Sequence, residues 1–165
     1  MDKQTLQPFE AKCTPEEAPA CQTTCPLHVD ARSLTRLTAE GKFGEARKLL
    51  DRYMPLSGLI GYLCEGPCRD HCRRAELDQG LDMPLLERYC LTRGGPTRLM
   101  AMPGTGKEVA VLGGGLSSLT LAWELGKKGH RVTVFHCGPV GGQLLSLPSE
   151  RLPETVLPSV LEQLG

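Results

Sequence analysis

The spacing of the cysteines constrains this chain more than any other feature. Seven of the eight cysteines precede residue 91, and six of these fall in two tight sets. The sets are Cys13, Cys21 and Cys25, then Cys64, Cys68 and Cys72. The chain begins without an apolar signal core, so we expect a cytoplasmic, reducing environment in which disulfides are a poor explanation. Metal ligation is therefore the leading interpretation of the thiols.

The spacing within the sets indicates which metal chemistry they suit. Soft thiolates at short spacing suit iron–sulfur clusters or zinc. The sequence has none of the C-x2-C knuckles common in structural zinc sites, and a spacing of three residues between cysteines occurs three times, which favours clusters. Pro67 is expected to open a helix with Cys68 and Cys72 at i and i+4, where the helix dipole stabilises thiolates. The competing interpretation is six buried or incidental thiols.

Composition narrows the function classes. Lys plus Arg and Asp plus Glu are both 19, so a formal net charge of zero gives no electrostatic argument for binding nucleic acid or an anionic membrane. No apolar run approaches the roughly 20 residues of a membrane helix. Aromatic residues make up only 4% of the chain, so a small domain is expected to need further stabilisation, such as a bound metal. The four histidines form no triad with the cysteines, and no catalytic side chain is predicted.

The first part of the chain is predicted to be helical. Residues 1–27 are interpreted as a loop that is ordered by whatever binds the thiols. A helix capped by Asp30 follows, then one from about Phe43 to Tyr53 with its apolar residues on one face. Residues 55–63 are interpreted as a connector, and Asp82 is predicted to cap a third helix.

The pattern changes after a linker predicted over residues 94–106. Residues 108–112 form an apolar strand, residues 113–115 a glycine turn, residues 116–128 a helix, and residues 131–135 a second strand. This order is the beginning of a parallel α/β sheet. It therefore predicts a Rossmann-like segment.

The glycine turn has the context of a dinucleotide fingerprint. Gly113-x-Gly115-x-x-Ser118 follows a strand and opens a helix. The first glycine permits the tight turn, and the second lets the backbone approach a pyrophosphate at the helix N-terminus. Ser118 stands where Gly or Ala lets the helix and strand pack closely.

The motifs together resemble a known family. The run Cys-x3-Cys-Pro, followed by Cys-x3-Cys-x3-Cys and Leu-Glu-Arg-Tyr, is similar to the N-terminal helical ferredoxin domain of the NADPH-dependent glutamate synthase small subunit. Dihydropyrimidine dehydrogenase and related flavoproteins share that domain. The resemblance implies two [4Fe–4S] clusters that are ligated in a crossed manner. The implied ligands of the first cluster are Cys13, Cys21 and Cys72. The implied ligands of the second cluster are Cys25, Cys64, Cys68 and Glu87.

The first implied cluster lacks a thiolate. The family usually has a further cysteine between the positions of Cys13 and Cys21, where this chain has Thr14 to Ala20. Three alternatives stay open: Glu16 or Glu17 supplies the ligand, the cluster holds three irons, or the site is empty. Cys90 is a spare thiol that either faces the second cluster or is a free helix cysteine.

The resemblance extends to the flavin side. Gly141-Gly142-Gln143-Leu144 is similar to the family's flavin-side loop. His136 follows the second strand, where the family usually has a Glu that binds the cofactor ribose, and histidine cannot accept hydrogen bonds as a carboxylate does. The implied FAD-binding residues are Gly113, Gly115, Ser118, Gly141 and Gly142.

We therefore predict a mainly α, helical ferredoxin-like domain over residues 1–100, followed by a truncated α/β Rossmann-like βαβ segment over residues 107–165. The expected function is an iron–sulfur electron-transfer module of an NAD(P)H-dependent flavin oxidoreductase, relaying electrons between FAD and a partner redox subunit. A complete flavin and nucleotide module needs about 200 to 300 further residues, so we expect the remainder of the flavoprotein chain as a partner. The alternative is a degenerate ferredoxin-like docking module that holds zinc or no metal.

Overall fold

The computed structural model describes residues 17–76, 79–95 and 101–164. Its contacts divide the chain into two compact units. The first comprises the residues up to Met54 together with Cys64–Gly95, and the second comprises Pro55–Leu63 together with the residues from Pro96 onward. The predicted boundaries at residues 1–100 and 107–165 stay predictions.

The described residues form seven α-helices and one small parallel sheet, which confirms the predicted fold class. The helices are α1 (Ala20–Thr24), α2 (Ala31–Ala39), α3 (Phe43–Tyr53), α4 (Ser57–Leu63), α5 (Met83–Arg93), α6 (Leu116–Lys127) and α7 (Val156–Leu161). The strands are β1 (Glu108–Leu112) and β2 (Arg131–Phe135). Three short 3-10 segments lie at Arg69–His71, Arg73–Glu76 and Gly142–Ser146.

Helices α2, α3 and α5 of the first unit begin where the sequence predicts. The Asp30 carboxylate accepts a hydrogen bond from the Ser33 N–H at 3.0 Å and caps α2. The Asp82 carboxylate accepts one from the Leu85 N–H at 3.1 Å and caps α5, which has a proline in its first turn. Each cap satisfies a backbone donor that the helix itself leaves without a partner.

Helices α2, α3 and α5 pack around a small apolar core. Its fully buried side chains include Leu34, Leu50 and Cys90, one from each helix. Arg47, although charged, is also buried, and it pairs with Asp51 at 3.1 Å on α3 while donating to the Leu91 carbonyl of α5 at 2.8 Å. A buried guanidinium needs these partners, because an unpaired charge in the interior is costly. Arg47 thus holds the end of α5 against α3.

The second unit is a βαβ segment with its own core. Strand β1 pairs with β2 in parallel, from Glu108 opposite Arg131 to Leu112 opposite Phe135, and α6 connects the two. The apolar core of this unit gathers side chains from α4, α6, α7 and the loops between them. Its buried members are Leu56, Leu59, Leu119, Trp123, Leu144, Leu152, Leu157 and Val160.

Two loop predictions are wrong. Residues 55–63 contain α4, which contacts α7 within the second unit, rather than forming a plain connector. The apolar residues of α4 have helical spacing, but two glycines and a length of only 7 residues made the helix difficult to recognise in the sequence. Helix α1 lies within the stretch interpreted as loop, and the residues before position 17 lie outside the described part of the chain.

Within the described ranges, no helix combines the length and the apolar character that crossing a membrane requires.

Candidate metal centre and nucleotide turn

Three thiols of the second predicted ligand set lie on short connections in the first unit. Cys25 is the C-cap residue of α1, and its N–H donates to the Cys21 carbonyl at 3.2 Å. Cys64 precedes a turn in which Gly66 has a φ of +73°, a left-handed conformation that glycine adopts readily. Cys68 then stands at the N-cap position of the 3-10 segment Arg69–His71, with no capping hydrogen bond from its side chain. Such connections can present thiols from several directions around one centre.

The electrostatics place these thiols and Glu87 in one neighbourhood. Burial is the largest cause that raises the pKa of the Cys64 thiol, and the negative charges of Glu87 and Cys25 add to it, against a hydrogen bond from the Gly66 backbone. Burial also raises the pKa of Cys68 to about 11, with further contributions from Glu87, Cys64 and Cys25. Burial therefore disfavours the charged forms of Cys64, Cys68 and Glu87, and the charge of Glu87 acts on both thiols.

Glu87 is the most unusual member of this neighbourhood. Its side chain is only 4% exposed, and its Oε2 atom has no hydrogen-bond partner in the described structure. Burial raises the pKa of this carboxyl to about 7, although the Arg88 charge acts in the opposite direction. Burying a carboxylate oxygen without a partner costs free energy. Coordination to a metal ion would supply that partner.

The donor set fits an iron–sulfur cluster. Thiolates are the usual ligands of such clusters. Burial alone keeps a thiol protonated, whereas a bound cation lowers its pKa by stabilising the thiolate. Among the described residues, no group of three or more His, Cys, Asp or Glu side chains is arranged so that it could hold a metal ion as it stands. The described cysteines also form no disulfide with one another. The assignment of individual ligands stays a prediction.

The first predicted set is only partly visible. Cys21 and Cys72 line one cavity of about 120 Å³ between α1, α2 and the 3-10 segments. The Leu81 N–H donates to the Cys72 sulfur at 3.3 Å. Cys13 and Glu16 lie outside the described residues, and Glu17 is exposed. The three alternatives for the missing ligand therefore stay open.

The helix predicted after Pro67 is wrong. The segment is a 3-10 turn over Arg69–His71, and Cys72 leaves it with extended backbone angles, φ −75° and ψ 109°. The Cys72 N–H donates to Arg69, three residues back, rather than to Cys68. The i, i+4 placement of the two thiols and the dipole argument built on it do not hold.

The contacts of Cys90 are those of a core side chain and not of a metal ligand. Its side chain is fully buried between α5 and α2, where its sulfur lies 3.1 Å from the Thr38 hydroxyl. Apolar burial at this position follows from the helical spacing of α5, and the thiol acts there as a small core side chain.

The glycine turn of the second unit is closed by its own hydrogen bonds. Gly113 has a φ of +109°, and its N–H donates to the Phe135 carbonyl at 2.7 Å. The Ser118 hydroxyl donates to the Leu112 carbonyl at 3.2 Å, so it reinforces the junction of β1 and α6. A Cβ built on Gly115 would meet no atom within 4 Å, which leaves the approach to the helix N-terminus open.

A second glycine pair lies alongside this turn. The Gly141 N–H donates to the Gly114 carbonyl at 2.7 Å, and a Cβ on Gly142 would lie 3.5 Å from the Gly115 Cα. In the sequence, only the family resemblance indicates that Gly141 and Gly142 belong to the site. Residues 113–115 and 141–142 are separated in the sequence by about the length of one βαβ unit. In the fold they lie together and form one backbone surface.

His136 borders the same surface. Its Nδ1 is hydrogen-bonded to the Gly138 carbonyl, and a Cβ on Gly114 would lie 3.2 Å from the His136 Cβ. The side chain is therefore packed beside the glycine turn at the carboxyl end of β2.

Comparison with known proteins decides the family. Residues 2–95, more than half of the chain, match the family described as dihydropyrimidine dehydrogenase domain II, 4Fe-4S cluster. The chain belongs to this iron–sulfur domain family. Residues 111–160 match the NAD(P)-binding Rossmann-like domain, so the iron–sulfur domain is followed by a nucleotide-binding fold. Both parts of the predicted resemblance are confirmed.

The curated relatives that this chain matches are much longer chains. The chain is 30% identical to the NADP(+)-dependent formate dehydrogenase subunit beta of Moorella thermoacetica, over 86% of this chain and 24% of the relative. It is 28% identical to the NADPH-Fe(3+) oxidoreductase subunit beta of Geobacter sulfurreducens, over 83% and 22%. It is 26% identical to the glutamate synthase [NADPH] small chain of Bacillus subtilis, over 89% and 33%. The chain thus spans about a fifth to a third of the length of these relatives.

Proposed function

We propose that this chain is an electron-transfer module of an NAD(P)H-dependent flavin oxidoreductase, relaying electrons between FAD and a partner redox subunit. The observation that carries the proposal is the buried carboxylate of Glu87, which has one oxygen without a hydrogen-bond partner and whose charge acts on the thiols of Cys64 and Cys68. Membership of the iron–sulfur family and the Rossmann-like segment support it. The names of the relatives, which are subunits of larger oxidoreductases, support a partner subunit.

The residues have distinct roles in this proposal. Cys25, Cys64, Cys68 and Glu87 hold one [4Fe–4S] cluster, which supplies one-electron transfer when bound. Burial of Cys68 and Glu87 keeps water from their ligating atoms and lowers the local dielectric constant, which tunes the reduction potential. Cys21 and Cys72, together with Cys13, serve the other cluster.

The nucleotide turn holds the FAD. Gly113 and Gly115 bring the backbone close to the pyrophosphate, while Gly141 and Gly142 form the opposite wall of the same surface. Ser118 contributes by fixing the turn through its bond to the Leu112 carbonyl. The role of this chain is to bind, orient and insulate redox groups, and none of its side chains needs to act as an acid, base or nucleophile.

Anaerobic spectroscopy tests the electron relay. The full chain, reconstituted with iron and sulfide, is mixed with reduced FAD and followed by electron paramagnetic resonance. We expect a signal from a reduced cluster in the wild-type chain and in C137S, because Cys137 is exposed and is not a predicted ligand. The second-cluster signal should be lost in C68S. A reconstituted wild-type chain that stays colourless and silent would overturn the relay and favour the docking-module alternative.

A further inference from the structure

Helix α5 carries Glu87 on the face that it buries. The buried residues of this helix are Met83, Pro84, Glu87, Cys90 and Leu91. Residues three and four apart lie on the same side of a helix, so Glu87 shares its face with Cys90 and Leu91, about one turn further along the axis. The placement of the Glu87 carboxylate therefore depends on how the C-terminal half of α5 is held.

Arg47 binds the C-terminal end of α5 from the neighbouring helix α3. The last four carbonyls of an α-helix have no partner within the helix, and the Leu91 carbonyl is one of these. The Nη1 atom of Arg47 donates to the Leu91 carbonyl at 2.8 Å and to the Gly95 carbonyl at 3.5 Å. Its Nε atom donates to both carboxylate oxygens of Asp51, at 3.1 and 3.4 Å. A buried side chain of α3 thus caps the end of α5.

The contacts around this cap leave α5 little freedom to shift. A Cβ on Gly94 would overlap the Arg47 Cβ, so the two helices approach as closely as a glycine allows. The Cys90 sulfur lies 3.1 Å from the Thr38 hydroxyl, which links the same face to α2. The turn that follows Glu87 is therefore held from both neighbouring helices and cannot rotate or slide without breaking these contacts.

The Oε2 atom of Glu87 is oriented by no hydrogen bond of its own within the part of the chain that the structure describes. After burial, the influences on the pKa of this carboxyl are the charges of Arg88 and Asp82, which belong to α5 and its N-cap. The position of Oε2 thus follows from the placement of the helix. Arg47 acts on Glu87 through that placement and not through its charge.

We propose that Arg47 is a positioning residue of the second cluster, and that its bond to the Leu91 carbonyl sets the placement of Glu87 as a ligand. The inference rests on the proposed function, in which Glu87 is a ligand, and goes beyond it because Arg47 contributes no ligating atom. A glutamate ligand adds negative charge to a cluster, and net charge is one of the properties that set the reduction potential. Displacing Glu87 should therefore raise the potential.

A double-mutant cycle on the reconstituted full chain tests the inference. R47M and E87A are made singly and together in a C21S background, which removes a predicted ligand of the other cluster. Electron paramagnetic resonance during a redox titration gives the midpoint potential of the remaining cluster. E87A should shift the equilibrium toward the reduced form by about tenfold, which is about 59 mV for one electron. R47M should shift it in the same direction by at least about threefold, but by less than about twofold when E87A is already present.

Two controls separate positioning from general destabilisation. L50A opens a cavity on the same helix but keeps the bond to Leu91, so its potential should stay within about twofold of the wild-type equilibrium. R47K retains a cation that can donate to the Leu91 carbonyl, so it should shift the potential less than R47M does. R47Q takes the place of R47M if that variant does not fold.

The possible failures of the two proposals give different results. An R47M chain with the wild-type potential, an equal shift in L50A, or a full R47M shift in the presence of E87A would overturn the positioning role and leave the cluster proposal standing. An E87A chain with the wild-type potential would show that Glu87 is not a ligand, which overturns the inference at its premise. A wild-type chain without iron and sulfide would overturn the proposed function and the inference together.

Discussion

Glu87 lies close enough to Cys68 for its negative charge to add to burial in raising the pKa of the Cys68 thiol to about 11. The two groups are 4% and 7% exposed, so solvent does little to relieve their repulsion. Without a cation, this neighbourhood is a local source of instability in the first unit. The same arrangement becomes favourable once iron is bound, because the cation stabilises the deprotonated ligands.

The metal-free chain should therefore lose stability as the pH rises through the titration of Glu87. Its folded pKa is raised to about 7 from an ordinary value of 4.5, so the folded state holds this proton where the unfolded state has released it. The stabilisation is fully present below about pH 4.5 and is lost as the pH approaches 7, by at most about 3 kcal/mol. Urea unfolding of the chelator-treated chain at several pH values measures this loss.

The variant E87Q separates this effect from other titrations. Its neutral amide removes the buried charge, so at pH 8 the metal-free variant should be more stable than the metal-free wild type by about 1 to 3 kcal/mol. E45Q, at an exposed position of α3, is the matched control. Equal pH profiles for the wild type and E87Q would contradict the burial of a titrating Glu87.

Arg47 should be among the most sensitive positions of the first unit. R47A removes a buried guanidinium that pairs with Asp51 and donates to the Leu91 carbonyl, at a cost of about 3 kcal/mol or more. R52A, at an exposed position on the same helix, should change the free energy of unfolding by less than about 0.5 kcal/mol. Similar losses for the two variants would show that the Arg47 bonds to α5 are not important.

The cap of α2 should contribute to the free energy of unfolding by an amount that depends on pH. Burial pushes the pKa of Asp30 upward, but hydrogen bonds from Ser33 and the charge of Arg32 outweigh it and hold the pKa below its usual value. The stabilisation is present above the unfolded pKa and is lost as the pH falls through the folded one. D30A should lower the free energy of unfolding by about 1 kcal/mol at pH 7, and D30N, which retains a capping group, by less. Thermal melts at pH 7 that cannot distinguish the two variants would argue against this cap.

The loop beside the nucleotide turn offers a matched pair of glycines. Gly141 has a φ of +111°, and a Cβ there would lie 2.5 Å from Leu157 Cδ2. G141A should destabilise the second unit by about 1 to 3 kcal/mol, because it combines backbone strain with a clash in the core. A Cβ on Gly138 meets nothing within 4 Å, so G138A should be nearly neutral. Differential scanning calorimetry compares the two, and an unaffected G141A would mean that the loop can move away from α7.

The sequence predicted the elements whose signals are local. Asp30 and Asp82 mark helix starts, and the alternation of apolar strand, glycine turn and helix after position 107 marks the βαβ segment. Helix α4 was missed because its stability comes from packing against α7, nearly 100 positions along the chain, rather than from local propensity. The 3-10 turn after Pro67 was missed because a proline start does not specify whether the next turn is α or 3-10.

The same distinction between local sequence signals and long-range packing applies to the candidate site. Cysteine spacing indicated a metal site, but the neighbourhood of Cys25, Cys64 and Cys68 with Glu87 depends on long-range packing. A glutamate on a helix looks like any solvated residue in the sequence, and only the family resemblance singled out Glu87. Its burial and its unpaired oxygen are properties of the folded unit.

The iron and acid-labile sulfide content of chain purified without oxygen tests the central claim most directly. We predict at least about four of each per chain, and about eight if both sites are filled. C68S should contain about four fewer of each than the wild type, whereas C90A should match the wild type because Cys90 is a core side chain. A wild-type chain without iron or sulfide after anaerobic reconstitution would contradict the account.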